Sequence, residues 1–506
     1  MATFTYRPST SAGPSRHVYD VIVVGSQLGG TLAGALLAKR GLRVLHVEHD
    51  GMGAGYEKNG YTLPYAPFVT PAFKTMPQVE EAFSELGLAS WVQRTMKPQE
   101  PALQVITAQH RLDFHSDPAI RQNELTRELG EEGVQRATTI SQAISQVELS
   151  DPFFKEKPTL PSTGILESFQ LNRLIARHEK LKVGSALAPD LFPDRLLRQL
   201  LPFISYAVPS TQPLPLARTL SQVLRMPHHF PGGREGLREA LGKKLTESGG
   251  DLLGRHGSGA SVVENFHFEG GRVAGIKLMQ SDIIYRGQWI IGATDAGALR
   301  RLVPNKKKHR RLLEALDSAT VQQFLYTVNW VLPERAIPRG MGELVLLETG
   351  ENGLDPLLLQ TRPIQQADAP FQPDTRVVSA GVFVPALVRE LGEEHFKELT
   401  RRIESHLERL MPFARAHLIV ASSPYLDVGG VRGSRFLPHP LLETEASSVL
   451  GVTGISMKTP SKNLLIASRE VLPGLGLEGE FYTGIRAARR VQDLIKSRQP
   501  DKSLRG

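Results

Sequence analysis

The hydrophobic pattern near the start of the chain predicts a strand, a helix and a second strand in close succession. Val21–Val24 is a continuous β-branched run, which is typical of a strand buried on both faces of a sheet. After a glycine-rich turn, the small and apolar residues of Thr31–Arg40 predict a helix, and Gly41 ends it. Leu42–Val47 predicts the second strand, which ends at Glu48. This order is typical of the first unit of a doubly wound α/β sheet.

The rest of the chain predicts mixed structure around this unit. Residues 70–225 are expected to be mostly helical, and residues 226–303 alternate strand and turn signals. The clearest further elements are strands at Arg272–Leu278, Trp289–Ile291 and Asn463–Ala467, and a helix from about Glu480 to Lys496.

The turn at Gly25–Gly30 carries the strongest chemical motif. In a dinucleotide-binding turn the first glycine makes a sharp bend, the second lets the backbone approach the diphosphate, and the third packs helix on strand. Gly25 and Gly30 hold the first and third positions, and the free N–H groups of the helix start suit an anion. Glu48 follows at the distance expected of a carboxylate that bonds a ribose diol, and it would repel the 2′-phosphate of NADP.

The middle glycine position of this turn holds Gln27, whose side chain points to where a diphosphate should pass. Two interpretations remain open at this stage. Either the unit binds a dinucleotide, or it is a Rossmann-like unit that has kept the fold and lost the nucleotide.

A second glycine motif, Gly474-Leu475-Gly476-Leu477-Glu478-Gly479, precedes the predicted C-terminal helix. Such a turn presents backbone N–H groups and a positive helix end to an electron-rich ring edge. The simpler interpretation is an ordinary strand-to-helix turn after Pro473.

Composition excludes several classes of function. The 506 residues suggest about three domains' worth of chain. Cysteine is absent, which excludes disulfides, thiolate metal sites and cysteine nucleophiles. The net charge of +8 is mild for this length, and no basic stripe carries interleaved aromatics, so nucleic acid is not an expected partner.

No run of the sequence reaches the roughly 18 apolar residues of a spanning helix. Residues 1–17 lack the apolar core of a secretory signal and predict a disordered lead-in, with an organelle transit peptide as the alternative. We therefore expect a cytoplasmic protein, and peripheral contact with a membrane stays open.

Taken together, these segments resemble the phytoene desaturase and carotenoid isomerase family, within the wider amine-oxidase-like flavoproteins. Tyr19–Glu48 resembles the N-terminal FAD-binding segment of that family, His229–Gly233 its internal PxGG segment, and Asn463–Ala488 its C-terminal flavin motif. Ala260–Gly275 resembles its next strands, and Ile291–Ala296 resembles its VSNAD turn. The order and spacing of these matches extend over nearly the whole chain.

The resemblance implies an α/β fold with a discontinuous Rossmann-type FAD/NAD(P)-binding domain and a second α+β substrate domain. The implied segments are the lead-in at 1–17, FAD-binding parts at 18–110, 226–303 and 426–500, a helical substrate part at 111–225 and a substrate domain at 304–425.

The resemblance also implies FAD as the cofactor. By position, the implied contacts are Gly25, Ser26, Gly29 and Gly30 at the diphosphate, Glu48 at the adenosine ribose, the backbone of Val262 at adenine, and Gly474, Gly476 and Leu477 at the pyrimidine edge of the flavin. In such enzymes the flavin accepts the hydride and the protein supplies orientation and an apolar channel. A side-chain triad is therefore not expected, and no catalytic residue is assigned.

Three departures from the family pattern concern the same ligand. Gln27 replaces a glycine, and Gly53–Lys58 keeps glycines but has Lys58 where the family has an arginine near the flavin. Ser468 and Arg469 stand where the family has Gly-Asp. Arg469 either pairs with the diphosphate or marks a flavin site that is no longer used.

The predicted function is an FAD-dependent oxidoreductase that transfers a hydride to or from a long apolar molecule, such as a polyene or isoprenoid, or isomerises it. The alternative is a flavin-free binding module resembling the Rab GDP-dissociation inhibitors, with a protein or lipid partner.

Other candidate residues favour structural roles. The apolar segment Leu191–Leu224 could line a lipid channel, rest on a membrane or pack in a core. His228 and His229 predict a loop pair rather than a metal site, and Asp295 predicts a helix cap.

Overall fold

The computed structural model describes residues 17–49, 55–150, 159–162, 164–180, 194–208, 213–225, 228–230, 232–254, 262–317, 320–364, 374–428, 437–443 and 451–497. The predicted disordered lead-in lies outside these residues except for His17, whose carbonyl oxygen accepts the Arg286 N–H at 2.7 Å.

The strands are β1 Val18–Val24, β2 Val44–Val47, β3 Tyr56–Lys58, β4 Tyr61–Leu63, β5 Lys97–Pro98, β6 Leu103–Ile106, β7 Arg111–Phe114, β8 His228–His229, β9 Asp251–Leu253, β10 Val263–Glu269, β11 Arg272–Leu278, β12 Ile284–Gly292, β13 Val321–Pro333, β14 Leu344–Leu347, β15 Leu357–Pro363, β16 Thr375–Pro385, β17 Val420–Ser422, β18 Leu441–Leu442 and β19 Leu464–Ile466.

The α-helices are Leu28–Lys39 (the first helix), Pro77–Glu85, Ala89–Thr95, Pro118–Leu129, Glu131–Ser150, Ile165–Lys180, Asp194–Ile204, Pro213–Leu224, Gly233–Glu247, Ala296–Arg301, Arg310–Leu316, Gly392–Leu410, Pro424–Asp427 and Gly476–Lys496 (the C-terminal helix). Short 3-10 turns lie at Phe73–Thr75, Glu334–Ala336, Ala386–Leu391, Ala414–His417 and Pro473–Leu475.

The first sheet contains the unit predicted from the opening pattern. Its strand order is β10-β11-β12-β1-β2-β9, and β19 lies beside β12. β1 runs parallel to β2 and β12, whereas β10, β11 and the start of β12 pair antiparallel. The first helix is buried from Leu28 to Ala38, since it packs between the sheet and the C-terminal helix. The predicted Rossmann-type α/β fold is confirmed.

The second sheet has the order β17-β13-β16-β15-β14-β6-β7, with β18 beside β13, and is antiparallel except where β14 meets β6. The long helix Gly392–Leu410 covers one face through Phe396, Ile403 and Leu407. β6 lies inside the segment 18–110 that was predicted as the first FAD-binding part, but it pairs within this second sheet.

The other face of the second sheet is covered by helices from the predicted helical part. The described part of the apolar segment Leu191–Leu224 packs here, with Leu196, Leu200 and Phe203 buried against strand residues such as Leu103 and Leu346. Of the three interpretations of this segment, the structure shows core packing for these side chains. Within the described ranges, no helix is long and apolar enough to cross a membrane.

Polar side chains on neighbouring strands attach the segment after β2 to the second sheet. Gln360 exchanges hydrogen bonds of 2.8 Å with both backbone groups of Phe68. The Tyr56 hydroxyl donates to Ser422 Oγ and accepts from Asn329 Nδ2, each at 3.0 Å. The groups bonded to Tyr56 are buried and those of Gln360 and Phe68 are half-buried, and together these bonds attach the segment after β2 to the second sheet.

Candidate functional site

The turn before the first helix is shaped by close backbone contacts. Gly25 has φ of +114°, and a Cβ there would lie 2.3 Å from the carbonyl oxygen of Ala293. At Gly30 a Cβ would lie 2.0 Å from the Ala293 Cβ, and at Gly29 it would lie 2.3 Å from the Glu480 carbonyl oxygen. In this structure the predicted contact residues Gly29 and Gly30 therefore serve helix packing.

The anion position in front of the first helix is held by the carboxylate of Glu480. Its Oε1 accepts the Leu28 N–H at 2.6 Å, and the side chain has no exposed surface. Arg234 Nη2 donates to the same oxygen, and the Tyr206 hydroxyl lies 3.5 Å from Oε2. Burial opposes the charge on Arg234, but Glu480 and Tyr206 raise its pKa above the ordinary value. The guanidinium therefore stays charged and neutralises the buried carboxylate.

Gln27, at the position of the missing glycine, uses its amide to join two other segments. Its Oε1 accepts the backbone N–H of Arg469 and its Nε2 donates to Asp295 Oδ1, both at 2.8 Å. Arg469 Nη2 in turn donates to Asp295 Oδ1 at 2.9 Å and to Oδ2 at 3.0 Å. Ser26, the residue before Gln27, is also buried. The structure thus pairs Arg469 with Asp295 of the same chain, which is neither of the two roles considered from the sequence.

Asp295 occupies the N-cap position of the helix Ala296–Arg301, as predicted, but its side chain does not make the cap bond. Glu470 Oε2 accepts the Ala296 N–H at 2.6 Å instead. Burial raises the pKa of Glu470 to about 8, and the neighbouring Asp295 carboxylate contributes to this rise. Glu470 is therefore largely neutral near pH 7.

The two residues predicted for the adenosine end lie at one edge of the first sheet. Glu48 follows β2 directly, and its Oε1 is 3.8 Å from Arg238 Nε. His49 Nδ1 accepts the Val263 N–H at 3.1 Å, which brings this strand end close to Val262. The segments that the family resemblance assigns to ribose and adenine are thus adjacent.

The turn predicted for the flavin edge is covered by another part of the protein. Gly476 has φ of +56°, and a Cβ there would lie 2.0 Å from the carbonyl oxygen of Ile204. The Tyr206 N–H donates at 2.8 Å to the carbonyl oxygen of the residue before Gly474. Leu477 is 3% exposed. This edge faces residues 204–206 in the structure.

The residues present fit one end of FAD and block the other. Glu48 and the neighbouring segment at Val262 suit the adenosine end. The Glu480 carboxylate and a diphosphate cannot both accept the Leu28 N–H, because they would share one position. A ligand on the glycine motif at the C-terminal helix would also meet Ile204. In this conformation FAD is accommodated only if Glu480 and residues 204–206 move.

A second buried ion pair lies on the same helix turn. Arg218 Nε and Nη2 donate to both oxygens of Glu478, with the Nε–Oε2 distance 3.0 Å, and Gln222 adds a bond of 3.1 Å. Both charged side chains are 4% exposed. Sequence reasoning missed Glu478 and Glu480, although two acids in the first turns of a glycine-rich apolar helix were an available signal.

The remaining candidates are the histidine pair and the glycine stretch Gly53–Lys58. His228 and His229 form strand β8, which pairs with β5, so the predicted loop pair is wrong in conformation. Among the residues with assigned positions, no group of three or more acidic or histidine side chains could hold a metal ion. Residues 53 and 54 of the glycine stretch lie outside the described residues, and Lys58 pairs with Asp427 at 2.7 Å.

Comparison with known proteins supports the fold. Residues 23–86 match the family described as NAD(P)-binding Rossmann-like domain. No curated protein matches the sequence.

Solved structures match almost the whole chain at low identity. An oxidoreductase from Methanosarcina mazei is 16% identical with a TM-score of 0.55, over 94% of this chain and 99% of that one. Cyclohexylamine oxidase from Brevibacterium oxydans is 16% identical with a TM-score of 0.54, over 94% and 99%. A wild-type putrescine oxidase bound to putrescine is 15% identical with a TM-score of 0.55, over 95% and 99%. The chain thus contains a Rossmann-like domain and shares the overall fold of the amine oxidases.

Proposed function

We propose that the chain is an FAD-dependent oxidoreductase. One observation carries this proposal: the glycine turn, Glu48 and the start of the C-terminal helix converge at one edge of the first sheet, where a doubly wound fold places its dinucleotide. The likeness over 94% of the chain to an oxidoreductase and to an amine oxidase supports the same class.

Bound FAD would supply the hydride chemistry, and the chain would bind it, orient the substrate and exclude water. Glu48 would hold the ribose, and the backbone beside Val262 the adenine. We propose a long apolar substrate of the polyene or isoprenoid type, since the family resemblance of the sequence extends from Tyr19 to the C-terminal helix. Aliphatic amines are the second substrate class to test, because two structures of the same fold are named for amine oxidation.

A second candidate function is favoured by a specific observation. Glu480 holds the diphosphate position, and Ile204 lies against the glycine motif that would meet the flavin. A flavin-free protein of this fold that binds a protein or a lipid would have this arrangement. Both functions use the same scaffold, and cofactor content separates them.

The test is a flavin assay on the purified protein. We expect a visible flavin spectrum, or FAD binding after incubation with excess cofactor, and release of FAD on denaturation. Bound FAD should then be bleached anaerobically by either polyenes or aliphatic amines. Protein that neither contains FAD nor takes it up would contradict the oxidoreductase and favour the binding module.

A further inference from the structure

We propose that Glu480 is an internal anion that takes the place of a ligand phosphate and controls the entry of diphosphate ligands. The inference rests on the proposed function, because it concerns the diphosphate position of the same site. Glu480 would compete with a ligand diphosphate for that position.

The first step of the argument is the chemistry of the position. The N-terminus of a 12-residue helix favours an anion, since its N–H groups are free and its dipole is positive there. Glu480 meets this requirement with a bond of 2.6 Å to Leu28 N, although it comes from a helix 452 residues further along the chain. An external phosphate oxygen would accept the same N–H.

The second step is the partly buried cation beside Glu480. Arg234 donates to Glu480, and its Nη1 also donates to the Tyr206 hydroxyl at 3.0 Å. The Arg234 side chain is 24% exposed, whereas Glu480 has no exposed surface. Solvent therefore reaches Arg234 but not Glu480. A guanidinium and a helix start together form a good receptor for a phosphate.

The third step is the contrast with Glu478, two residues earlier on the same helix. It is as deeply buried and has its own cation, Arg218, but it makes no hydrogen bond to the first helix among those the structure describes. Of these two glutamates, Glu480 is the one that combines an arginine with a helix start in the described residues. Glu478 is therefore a matched control for the loss of a buried carboxylate.

Removal of the Glu480 carboxylate should open an anion site. In Glu480→Ala, the Leu28 N–H and Arg234 lose a shared acceptor, and buried donors left in this way are costly. A diphosphate that enters would restore the lost bonds and stabilise the variant. Inorganic pyrophosphate probes the phosphate chemistry alone, and FAD probes the complete cofactor.

The experiment compares wild type, Glu480→Ala, Glu480→Gln and Glu478→Ala, all as full chains. Thermal unfolding is followed with and without inorganic pyrophosphate, and FAD affinity is measured by flavin fluorescence. We expect pyrophosphate to raise the Tm of Glu480→Ala but not of wild type or Glu478→Ala. FAD should bind Glu480→Ala about tenfold or more tightly than wild type, as the release of one charge-assisted hydrogen bond would give.

The outcomes separate this inference from the proposed function. Pyrophosphate stabilisation of Glu480→Ala without FAD binding to any variant would support the inference and overturn the oxidoreductase. The inference would be overturned if wild type and Glu480→Ala bound FAD and pyrophosphate equally well. It would also be overturned if Glu478→Ala gained as much affinity as Glu480→Ala. Either result would leave the oxidoreductase standing. If Glu480→Ala does not fold, Glu480→Gln is used instead: it removes the charge but its amide can still accept the Leu28 N–H, so we expect a smaller rise in Tm with pyrophosphate, and no rise at all would overturn the inference.

Discussion

Glu470 gives the sharpest test of the electrostatics around the candidate site. Its pKa is raised from 4.5 to about 8, chiefly by burial, so the folded protein holds a proton that the unfolded chain releases. Below pH 4.5 Glu470 is protonated in both the folded and the unfolded protein, so its ionisation does not change the free energy of unfolding. Between 4.5 and 8 stability is lost as pH rises, by about 1.4 kcal/mol per pH unit.

The perturbation is Glu470→Gln, which keeps an acceptor for the Ala296 N–H and carries no proton to lose. Between pH 4.5 and pH 8 wild type loses about 5 kcal/mol of stability through Glu470. Between pH 5 and pH 7.5 the loss is about 3 kcal/mol. We therefore expect the free energy of unfolding of the variant to rise relative to that of wild type by about 3 kcal/mol between pH 5 and pH 7.5.

The assay is urea unfolding followed by tryptophan fluorescence at the two pH values. Glu85→Gln is the control, since it removes an exposed carboxylate paired with Arg40 and should change stability by less than about 1 kcal/mol at either pH. A difference between wild type and Glu470→Gln that is equal at pH 5 and pH 7.5 would refute the reasoning.

Two further predictions concern packing and the second buried ion pair. Gly484→Ala should lower the Tm by many degrees or abolish folding in a thermal-shift assay, because its Cβ would lie 2.0 Å from the Gly29 carbonyl oxygen. Gly297→Ala is the control: its Cβ would have nothing within 4 Å, so the Tm should stay nearly unchanged. Arg218→Met should cost roughly 3–5 kcal/mol in urea unfolding, because Glu478 loses its buried cation, and Arg218→Met with Glu478→Leu should recover most of that loss. A double variant as unstable as the single one would contradict this account.

The sequence predicted those parts of the fold that depend on local pattern. The strand Arg272–Leu278 has the predicted bounds, and the C-terminal helix begins at Gly476, four residues before the prediction. The first helix begins at Leu28 rather than Thr31, because the glycine turn enters the helix directly. These elements are marked by hydrophobic runs and glycines a few residues apart, so a window of sequence contains the information.

What the sequence could not predict depends on contacts between distant segments. The second sheet joins β6 and β7 to strands more than 200 residues further along, and no local pattern encodes that pairing. Gln27 marked the site as unusual, but its partners Asp295 and Arg469 lie 268 and 442 residues away. The same holds for Glu480, since only the packed structure shows which helix start its carboxylate meets.

The contact between the first helix and the C-terminal helix has a consequence for how the protein is made. β1 and the first helix leave the ribosome early, yet their neighbours β12, β19 and the C-terminal helix follow at 284–292, 464–466 and 476–496. The Leu28 N–H gains its acceptor only after residue 480 has been synthesised. The face of the first helix that packs on the C-terminal helix therefore stays uncovered while the residues between them are synthesised, and chaperones protect such surfaces during synthesis. The Rossmann-like unit thus starts to form long before it can be completed.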